Sequence, residues 1–149
     1  MPVVYRPARV QDLERADALV VASINDLTAR HGFGAIARSQ AINFQLFSLQ
    51  DDPDGLWIAE EKNDILGFAW SWVCGELWFL AQLFVSPAHQ GRGIGNELLT
   101  RTFDHAQKSG ATHRALITFT FNTVSQGLYM RNGLLRSARS IISVSRESA

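Results

Sequence analysis

Gln90-Gly91-Arg92-Gly93-Ile94-Gly95 is the stretch of sequence that decides the interpretation of this chain of 149 residues. It follows an apolar segment, Leu77–Val85, and leads into a helical pattern, Asn96–Lys108. A glycine-rich turn between a strand and a helix is typical of an anion site, because the first helical amides lack intrahelical partners and carry the positive end of the dipole. Glycines let the backbone approach a phosphate, and Arg92 adds a cation. The stretch predicts a phosphate-bearing cofactor; the alternative is a tight structural turn.

The spacing of these glycines excludes two common phosphate motifs. The order is G-x-G-x-G and not the G-x-G-x-x-G of a dinucleotide-binding turn, and no acidic residue follows about 20 positions later at a strand end. The chain contains no G-x-x-x-x-G-K-S/T, which excludes a P-loop. The predicted phosphate site therefore belongs to neither of these classes.

Composition excludes several classes of partner. Fourteen basic and 14 acidic residues give a formal charge of zero, and no basic cluster supports a nucleic-acid partner. The only cysteine, Cys74, cannot form an intrachain disulfide, which fits a reducing cytoplasm. No apolar run reaches the ~18 residues of a membrane span, and the N-terminus lacks the apolar core of a signal peptide. We expect one cytoplasmic domain over residues 1–149, with no membrane segment, nucleic-acid partner or metal.

Hydrophobic periodicity predicts a mixed α/β domain with the order β-α-α-β-β-β-α-β-α-β. Turn signals at Asp51–Gly55 and at Lys62-Asn63-Asp64 separate the elements of its first half. The predicted strands are Val3–Arg6, Leu56–Glu60, Ile65–Cys74, Leu77–Val85, His113–Phe121 and one within Leu134–Val144, and the predicted helices are Val10–Arg30, Ala35–Leu49, Asn96–Lys108 and Val124–Arg131.

Asn122, Tyr129 and Gly133 form a second pattern, downstream of the glycine stretch. Asn122 stands where a predicted strand ends and a short helix begins, which is an N-cap position. Tyr129 lies near the end of that helix, and Gly133 terminates it. Taken alone, the pattern describes a cap, a packed side chain and a stop. Together with the glycine stretch, it indicates the second half of a cofactor site.

With both patterns in view, the chain resembles the GNAT superfamily of acyl-CoA-dependent N-acyltransferases. Gln90-x-x-Gly93-x-Gly95 matches that family's Q/R-x-x-G-x-G/A acetyl-CoA motif, and Asn122…Tyr129…Gly133 matches its second cofactor motif. Tyr5-Arg6-Pro7-Ala8-Arg9 with Asp12 also resembles the family's first strand and turn. The resemblance covers nearly the whole chain. It implies a mostly antiparallel sheet flanked by helices, an N-acetyltransferase activity and acetyl-CoA as cosubstrate.

The resemblance also implies a role for each matched position. The backbone of Leu83, Phe84 and Val85 would pair with the pantetheine arm as an added strand pairs with a sheet edge. Asn122 would hydrogen-bond the pantetheine, and Tyr129 would lie beside the thioester sulfur. The amides that would surround the pyrophosphate are those of Gln90, Gly91, Arg92, Gly93, Ile94, Gly95 and Asn96.

The chemistry of thioester aminolysis makes Tyr129 the predicted catalytic residue. The reaction needs an unprotonated amine, a stabilised oxyanion and a proton for the departing thiolate. A phenol of pKa ~10 can protonate a thiolate whose conjugate thiol has a pKa near ~8.5. A main-chain N–H of Leu77–Val85 would donate to the oxyanion. We therefore expect direct attack by a primary amine, with Tyr129 as the general acid.

The sequence identifies neither the general base nor the acceptor. Many family members carry a Glu five residues before the motif Asn, where this chain has Ile117. Glu76 lies just outside Leu77–Val85, and Gln82 within it is polar but cannot act as a base. His89 and His113 are formal candidates, and a water relay or an amine that arrives unprotonated are the alternatives. The missing Glu also leaves open a CoA-binding regulatory or interaction domain without catalysis. A third hypothesis is unspecific nucleotide binding.

Aromatic residues crowd the three predicted strands between Leu56 and Val85. They either pack beneath the helices or form an acceptor pocket for an apolar amine, and alternation places Phe68, Trp70 and Trp72 on one face. Phe33, between the first two helices, is a further acceptor-site candidate.

The C-terminus departs from the family pattern, which ends in a two-stranded hairpin. Sixteen residues follow Gly133, and they contain no clear hairpin turn. We expect a short or missing last strand, which would leave an exposed sheet edge for a second copy to cover in a homodimer.

Overall fold

A computed structural model of the chain describes residues 2–118, 122–134 and 141–146. Within these residues, the strands form one sheet in sequence order. The strands are β1 (Val4–Pro7), β2 (Leu56–Glu61), β3 (Asp64–Cys74), β4 (Leu77–Val85), β5 (His113–Ile117) and β6 (Ile141–Arg146), and the helices are α1 (Leu13–Arg30), α2 (Asn43–Asp51), α3 (Ile94–Ser109) and α4 (Thr123–Arg131).

The sheet is mostly antiparallel, as expected. Strands β1 to β4 pair antiparallel with their neighbours, β4 and β5 are parallel, and β5 and β6 are antiparallel. The only parallel pair is thus β4–β5 among the described strands, and α3 is the crossover between them. A parallel pair needs such a crossover, which carries the glycine turn to the end of β4.

The predicted helix Ala35–Leu49 is wrong in its first half, because α2 begins at Asn43. The side chain of Asn25 on α1 explains the difference. Its Oδ1 accepts the backbone N–H groups of Ile36 and Ala37 at 2.9 and 2.8 Å, and its Nδ2 donates to the carbonyl of Ala37 at 3.1 Å. A side chain from another element thus takes backbone groups that a helix would have used.

Other predicted bounds shift by a few residues. The helix expected from Val10 starts with a 3-10 turn, Val10–Asp12, and becomes α-helical at Leu13. The strand predicted over His113–Phe121 ends at Ile117, and residues 119–121 lie outside the described part. A strand does follow Gly133, at Ile141–Arg146, while residues 135–140 lie outside the described part.

Helices cover both faces of the sheet, and strand alternation supplies a core to each. Ile58 and Phe68 pack with Val20 of α1 on one face. Ala59 and Ala69, the next residues along each strand, pack against α3 on the other. The larger aromatics pack beneath helices: Trp70 contacts the α1–α2 core, and Trp78, fully buried, lies 5.4 Å from the ring of Phe103 on α3.

Gly67 of β3 fixes how closely α3 approaches the sheet. A Cβ at this position would lie 2.8 Å from Cδ1 of Leu98 and 3.1 Å from Cγ2 of Ile94. A larger residue would have to displace these two side chains, so glycine favours the close packing of the first turn of α3 against the strand.

A bulge in β4 and the end of its pairing with β5 open the sheet. Trp70 pairs with Gln82 and Ser71 with Leu80, which leaves Ala81 as the extra residue of β4. The β4–β5 ladder ends at Leu80 and Leu116, although both strands continue. Beyond that point the two parallel strands diverge, and a cleft lies between them.

Candidate active site

The cleft between the diverging strands has a volume of about 760 Å³. Its walls come from β4, β5, α4 and the first turn of α3, with α1 at one side. A volume of this size is typical of a small-molecule site. Of the predicted cofactor residues, those that line it are Leu83, Phe84, Val85, Gln90, Gly91, Gly93, Ile94, Gly95, Asn96, Asn122 and Tyr129.

The glycine turn ends in an uncapped helix N-terminus that faces the cleft. Gly91 and Gly93 have φ values of 81° and 79°, which residues with a side chain rarely adopt, and Gly93 is the N-cap of α3. The carbonyl of Gly93 accepts the amide of Glu97 at 3.1 Å. The amides of the preceding turn therefore have no carbonyl partner within the helix. No side chain caps this end of α3. The arrangement suits an anion.

Arg92 stands apart from the other predicted cofactor residues. Its Nη2 lies 2.8 Å from Oε2 of Glu61 on β2, and the side chain is half exposed. The hydrogen bond from Arg92 lowers the pKa of Glu61. The guanidinium is not among the groups that line the cleft, so any contact of Arg92 with a phosphate through its amide stays a prediction.

Tyr129 places a buried phenol on the wall of the cleft. The residue is 5% exposed and belongs to an apolar cluster with Leu80, Leu116 and Leu134. Burial raises the pKa of the phenol well above its usual value, because the phenolate would lose solvation. Tyr129 carries its proton at neutral pH, as an ordinary phenol does, and burial makes that proton harder to release.

Asn122 combines two roles that the sequence presented as alternatives. It is the N-cap of α4, and its Oδ1 accepts the amide of Ser125 at 3.3 Å. It also lines the cleft. Gly133, with φ of 90°, lies just after α4, where the carbonyl of Tyr129 accepts the amide of Leu134 at 3.1 Å.

The carbonyl of Val85 is already in use within the protein. Ser23 Oγ and Gln90 Nε2 each donate to it at 3.3 Å. Ser23 on α1 was not predicted from the sequence, because nothing in the helix pattern shows which turn reaches β4. These contacts connect α1 and the glycine turn to the end of the strand.

A second cavity, of about 430 Å³, lies on the α1–α2 side of β4. Val20 and Ile24 of α1 and Trp70 of β3 form apolar parts of its wall, and Asp17 and Arg38 bring charges. Gln82 lines both this cavity and the cleft. Phe33 is exposed and lines neither.

The formal candidates for a general base are widely separated. His89 and Ile117 line the cleft. His113 pairs with Leu77 at the other end of β4, and its amide donates to the carbonyl of Glu76 at 2.9 Å. Glu76 and His113 are therefore remote from the cleft. Within the described residues, no group of three or more His, Cys, Asp or Glu side chains is arranged to hold a metal ion.

A Ser–His–Asp network also connects β3 to α3, and no sequence pattern predicted it. His105 on α3 places Nδ1 3.0 Å from Ser71 Oγ and Nε2 2.7 Å from Asp52 Oδ2. The Ser71 hydroxyl donates to the carbonyl of Gly55 at 3.2 Å. Ser71 is fully buried and lines neither cavity, so this network holds β3, α3 and the α2–β2 turn together.

Comparisons with known proteins find similarity to acetyltransferases. The model of the acetyltransferase (GNAT) family matches residues 21–134. The mycothiol acetyltransferase of Streptomyces avermitilis is 31% identical over 87 residues, which are 55% of this chain and 27% of that protein. An uncharacterized N-acetyltransferase of Bacillus subtilis, YhfO, is 31% identical over 91 residues, 57% of this chain and 61% of its own length. The chain thus spans about a quarter to three fifths of these relatives.

A solved structure with the same fold is the PaiA N-acetyltransferase of Thermoplasma acidophilum in complex with coenzyme A. Its TM-score is 0.78 at 18% identity, and the match covers 99% of this chain and 100% of that one. In the described part of the chain, no helix has both the length and the apolar character that crossing a membrane requires.

Proposed function

The chain belongs to the GNAT acetyltransferase family, and from this premise we propose that it transfers an acetyl group from acetyl-CoA to a primary amine. The observation that carries the proposal is the meeting of an uncapped helix N-terminus and a buried, protonated phenol in one cleft. The first suits a pyrophosphate, and the second suits a departing thiolate.

The cleft offers a place for each part of the donor. The amides from Gln90 to Asn96 surround the pyrophosphate, and the edge of β4 at Leu83–Val85 faces the pantetheine arm. The carbonyl of Val85 already accepts two side-chain donors, so the main-chain pairing that we propose for Leu83, Phe84 and Val85 does not use that carbonyl. Asn122 keeps its Nδ2 for the pantetheine, since its Oδ1 caps α4.

The reaction we propose is direct attack. The amine nitrogen adds to the thioester carbonyl, and the oxygen takes up negative charge. The bulge at Ala81 interrupts the β3–β4 ladder, which is where a main-chain N–H of β4 can turn to that oxygen. As the carbonyl re-forms and the C–S bond breaks, Tyr129 donates its proton to the sulfur, the attacking nitrogen loses a proton to solvent, and Tyr129 regains a proton from solvent.

The donor is tested by thermal unfolding. A ligand that binds only the folded state, present at 100 times its Kd, stabilises that state by about 2.7 kcal/mol. This corresponds to a rise in Tm of roughly 5–10 °C for a chain of this size. We expect this shift with acetyl-CoA and not with ATP or NAD. A larger shift with ATP or NAD would favour unspecific nucleotide binding.

The transfer is tested by release of free thiol from acetyl-CoA with a panel of primary amines. We expect amine-dependent release above the hydrolysis rate. A CoA-binding regulatory domain is the second candidate, because no Glu stands in β4 or at position 117. Tight acetyl-CoA binding without transfer to any amine would support it.

The cellular setting and assembly are also proposals. The single cysteine is exposed and free, which favours a reducing compartment such as the cytoplasm. Among the described strands, β6 lies at one edge of the sheet, and a homodimer across this edge stays a prediction. A sedimentation mass equal to one chain at all concentrations would contradict it.

A further inference from the structure

We propose that Gln82 binds the acceptor amine and that its neutral amide selects α-amino groups over alkylamines. This inference rests on the proposed acetyl transfer. Its starting point is the place of Gln82, one residue after the bulge, on the strand that separates the acetyl-CoA cleft from the second cavity.

Gln82 is the residue common to both cavities. Its strand partner is Trp70, which lines the second cavity only. Leu83 and Phe84 follow it toward the glycine turn, and both residues line the cleft. We therefore place Gln82 on the path of an acceptor between the second cavity and the thioester, because it is the residue that the two linings share.

The amide of Gln82 has no hydrogen bond within the described part of the chain. Its Oε1 is buried and meets no donor there. A buried acceptor without a partner destabilises the native state, which therefore gains stability when a donor arrives. The terminal torsion of Gln is broad and two-fold. Since no partner fixes the amide, its oxygen can turn toward the cavities when an N–H group enters.

A neutral acceptor atom suits an amine that is already unprotonated. The attacking nitrogen points its lone pair at the carbonyl carbon, and one of its N–H groups donates to the Gln82 oxygen. A carboxylate in this place would stabilise the ammonium ion and remove the lone pair. Gln82 orients the free amine without that penalty.

The charged groups around Gln82 are compatible with the binding of an unprotonated amine. The second cavity carries Asp17 on α1 and Arg38 in the segment before α2, which are of opposite sign. The cleft carries Arg30, His31, His89, Tyr129 and Arg131. Asp17 is the one carboxylate in the lining of either cavity, and it lines the second cavity alone, so no carboxylate among the described residues lines both.

The ordinary pKa values of amines decide which class of substrate such a site accepts. An α-amino group has a pKa of about 7.8 and is roughly 14% unprotonated at pH 7, whereas a lysine ε-amine of pKa about 10.4 is roughly 0.04% unprotonated. A site in which no carboxylate lines both cavities uses the α-amino group far better. The substrate class is therefore a small α-amino compound with an apolar side chain against Val20, Ile24 and Trp70.

Two isomers test the preference. Nε-acetyl-lysine amide offers only an α-amine, and Nα-acetyl-lysine amide offers only an ε-amine. At pH 7 we expect kcat/KM to favour the α-amine isomer at least about 10-fold, with the ratio falling as pH rises toward 10 and the ε-amine deprotonates. Equal kcat/KM values at pH 7, or a preference for the ε-amine, would overturn the proposal.

Variants test the residue. Gln82→Met keeps the length and removes the acceptor atom; we expect kcat/KM for the α-amine isomer to fall about 10-fold, while the acetyl-CoA thermal shift stays unchanged. Gln82→Glu should reduce the α-over-ε ratio and move the pH profile of the α-amine reaction upward, which a merely structural role would not do. Gln107→Met, the same change at an exposed position of α3, is the control.

The experiments distinguish failure of the role of Gln82, of the α-amine preference and of the proposed acetyl transfer. If Gln82→Met folds and matches the Gln107→Met control, Gln82 does not bind the acceptor, and the acetyl transfer itself stands. If the wild-type chain transfers to other amines but to neither isomer, the α-amine preference fails alone. No thiol release with any amine overturns the proposed function and this inference with it.

Discussion

The Ser71–His105–Asp52 network and the Gln82–Tyr129 region are both built on the central strands, and they differ in whether their polar groups have partners. In the network, His105 uses both ring nitrogens and Ser71 also donates to Gly55. At the cleft, Gln82 Oε1 meets no donor within the described part of the chain, and Tyr129 sits in an apolar cluster.

The difference separates a structural network from a binding site, even though the first has the residue types of a hydrolase triad. Catalysis requires a reachable nucleophile, and Ser71 is fully buried. A buried polar group that already has its partners stabilises the fold, whereas one without a partner leaves free energy for a ligand to recover. Substitutions in the network should change stability, and substitutions at the cleft should change transfer.

Tyr129→Phe should have the largest effect on transfer. General acids contribute about 10²–10⁴-fold to rate, so we expect kcat to fall at least about 100-fold while the acetyl-CoA thermal shift is retained. Thiol release at saturating substrates measures the change. Unchanged kcat would remove Tyr129 from the mechanism.

The same variant tests the burial of the phenol through its pH dependence. Because burial raises the pKa of Tyr129 in the folded state, the unfolded chain loses this proton first, near pH 10. The contribution to stability is thus intact below pH 10 and declines as pH rises above it. The unfolding free energy of Tyr129→Phe should fall less steeply there, and parallel alkaline curves would contradict the burial.

His105→Leu should produce the converse result. It removes two hydrogen bonds and leaves Asp52 without its partner, at a cost of about 2 kcal/mol in the free energy of unfolding. We expect kcat per folded molecule to stay at the wild-type value. Denaturant unfolding and thiol release measure the two quantities.

Ser71→Ala, which removes the hydroxyl alone, should cost about half as much in the free energy of unfolding as His105→Leu. Loss of transfer at retained stability in either variant would place the network in the active site.

The sequence predicted those parts of the site that depend on local order along the chain. The glycine turn, β4, the N-cap at Asn122 and the stop at Gly133 each follow from a few neighbouring residues. The sheet and its helices followed from periodicity, and the family pattern supplied their arrangement.

Features set by distant parts of the chain could not be predicted. The bulge at Ala81 depends on the register that β3 imposes on β4. The non-helical segment before α2 depends on Asn25, which takes its backbone groups. Gln82 was excluded as a base by its chemistry, but its place between two cavities is a property of the folded sheet.

Gly93→Ala tests the glycine turn against a matched position on the same helix. Gly93 is the N-cap of α3 with φ of 79°, and Gly110 is its C-cap with φ of 74°; neither would bring a Cβ within 4 Å of other atoms. Each alanine should therefore cost about 1–2 kcal/mol from the left-handed backbone alone. Only Gly93→Ala should also weaken the binding of acetyl-CoA, because only the N-terminal end of α3 faces the cleft.

Calorimetric titration of both variants with CoA measures this difference. We expect Kd to rise several-fold for Gly93→Ala and to stay at the wild-type value for Gly110→Ala. Equal Kd values in the two variants would mean that the N-terminus of α3 does not hold the phosphates.

Arg92→Ala should have the smallest effect, although the residue lies within the motif. Its guanidinium already pairs with Glu61 on the protein surface, and exposed pairs contribute little to stability. We expect the CoA Kd to change less than about 3-fold, with the same dependence on salt as the wild type. Glu61→Gln is the matched control, since it releases Arg92 without removing it. A large rise in Kd for Arg92→Ala, with a weaker salt dependence and no such rise for Glu61→Gln, would mean that the guanidinium leaves Glu61 for a phosphate when the cofactor binds. The polar group with a partner would then be part of the site, and the comparison of paired and unpaired groups would fail at this position.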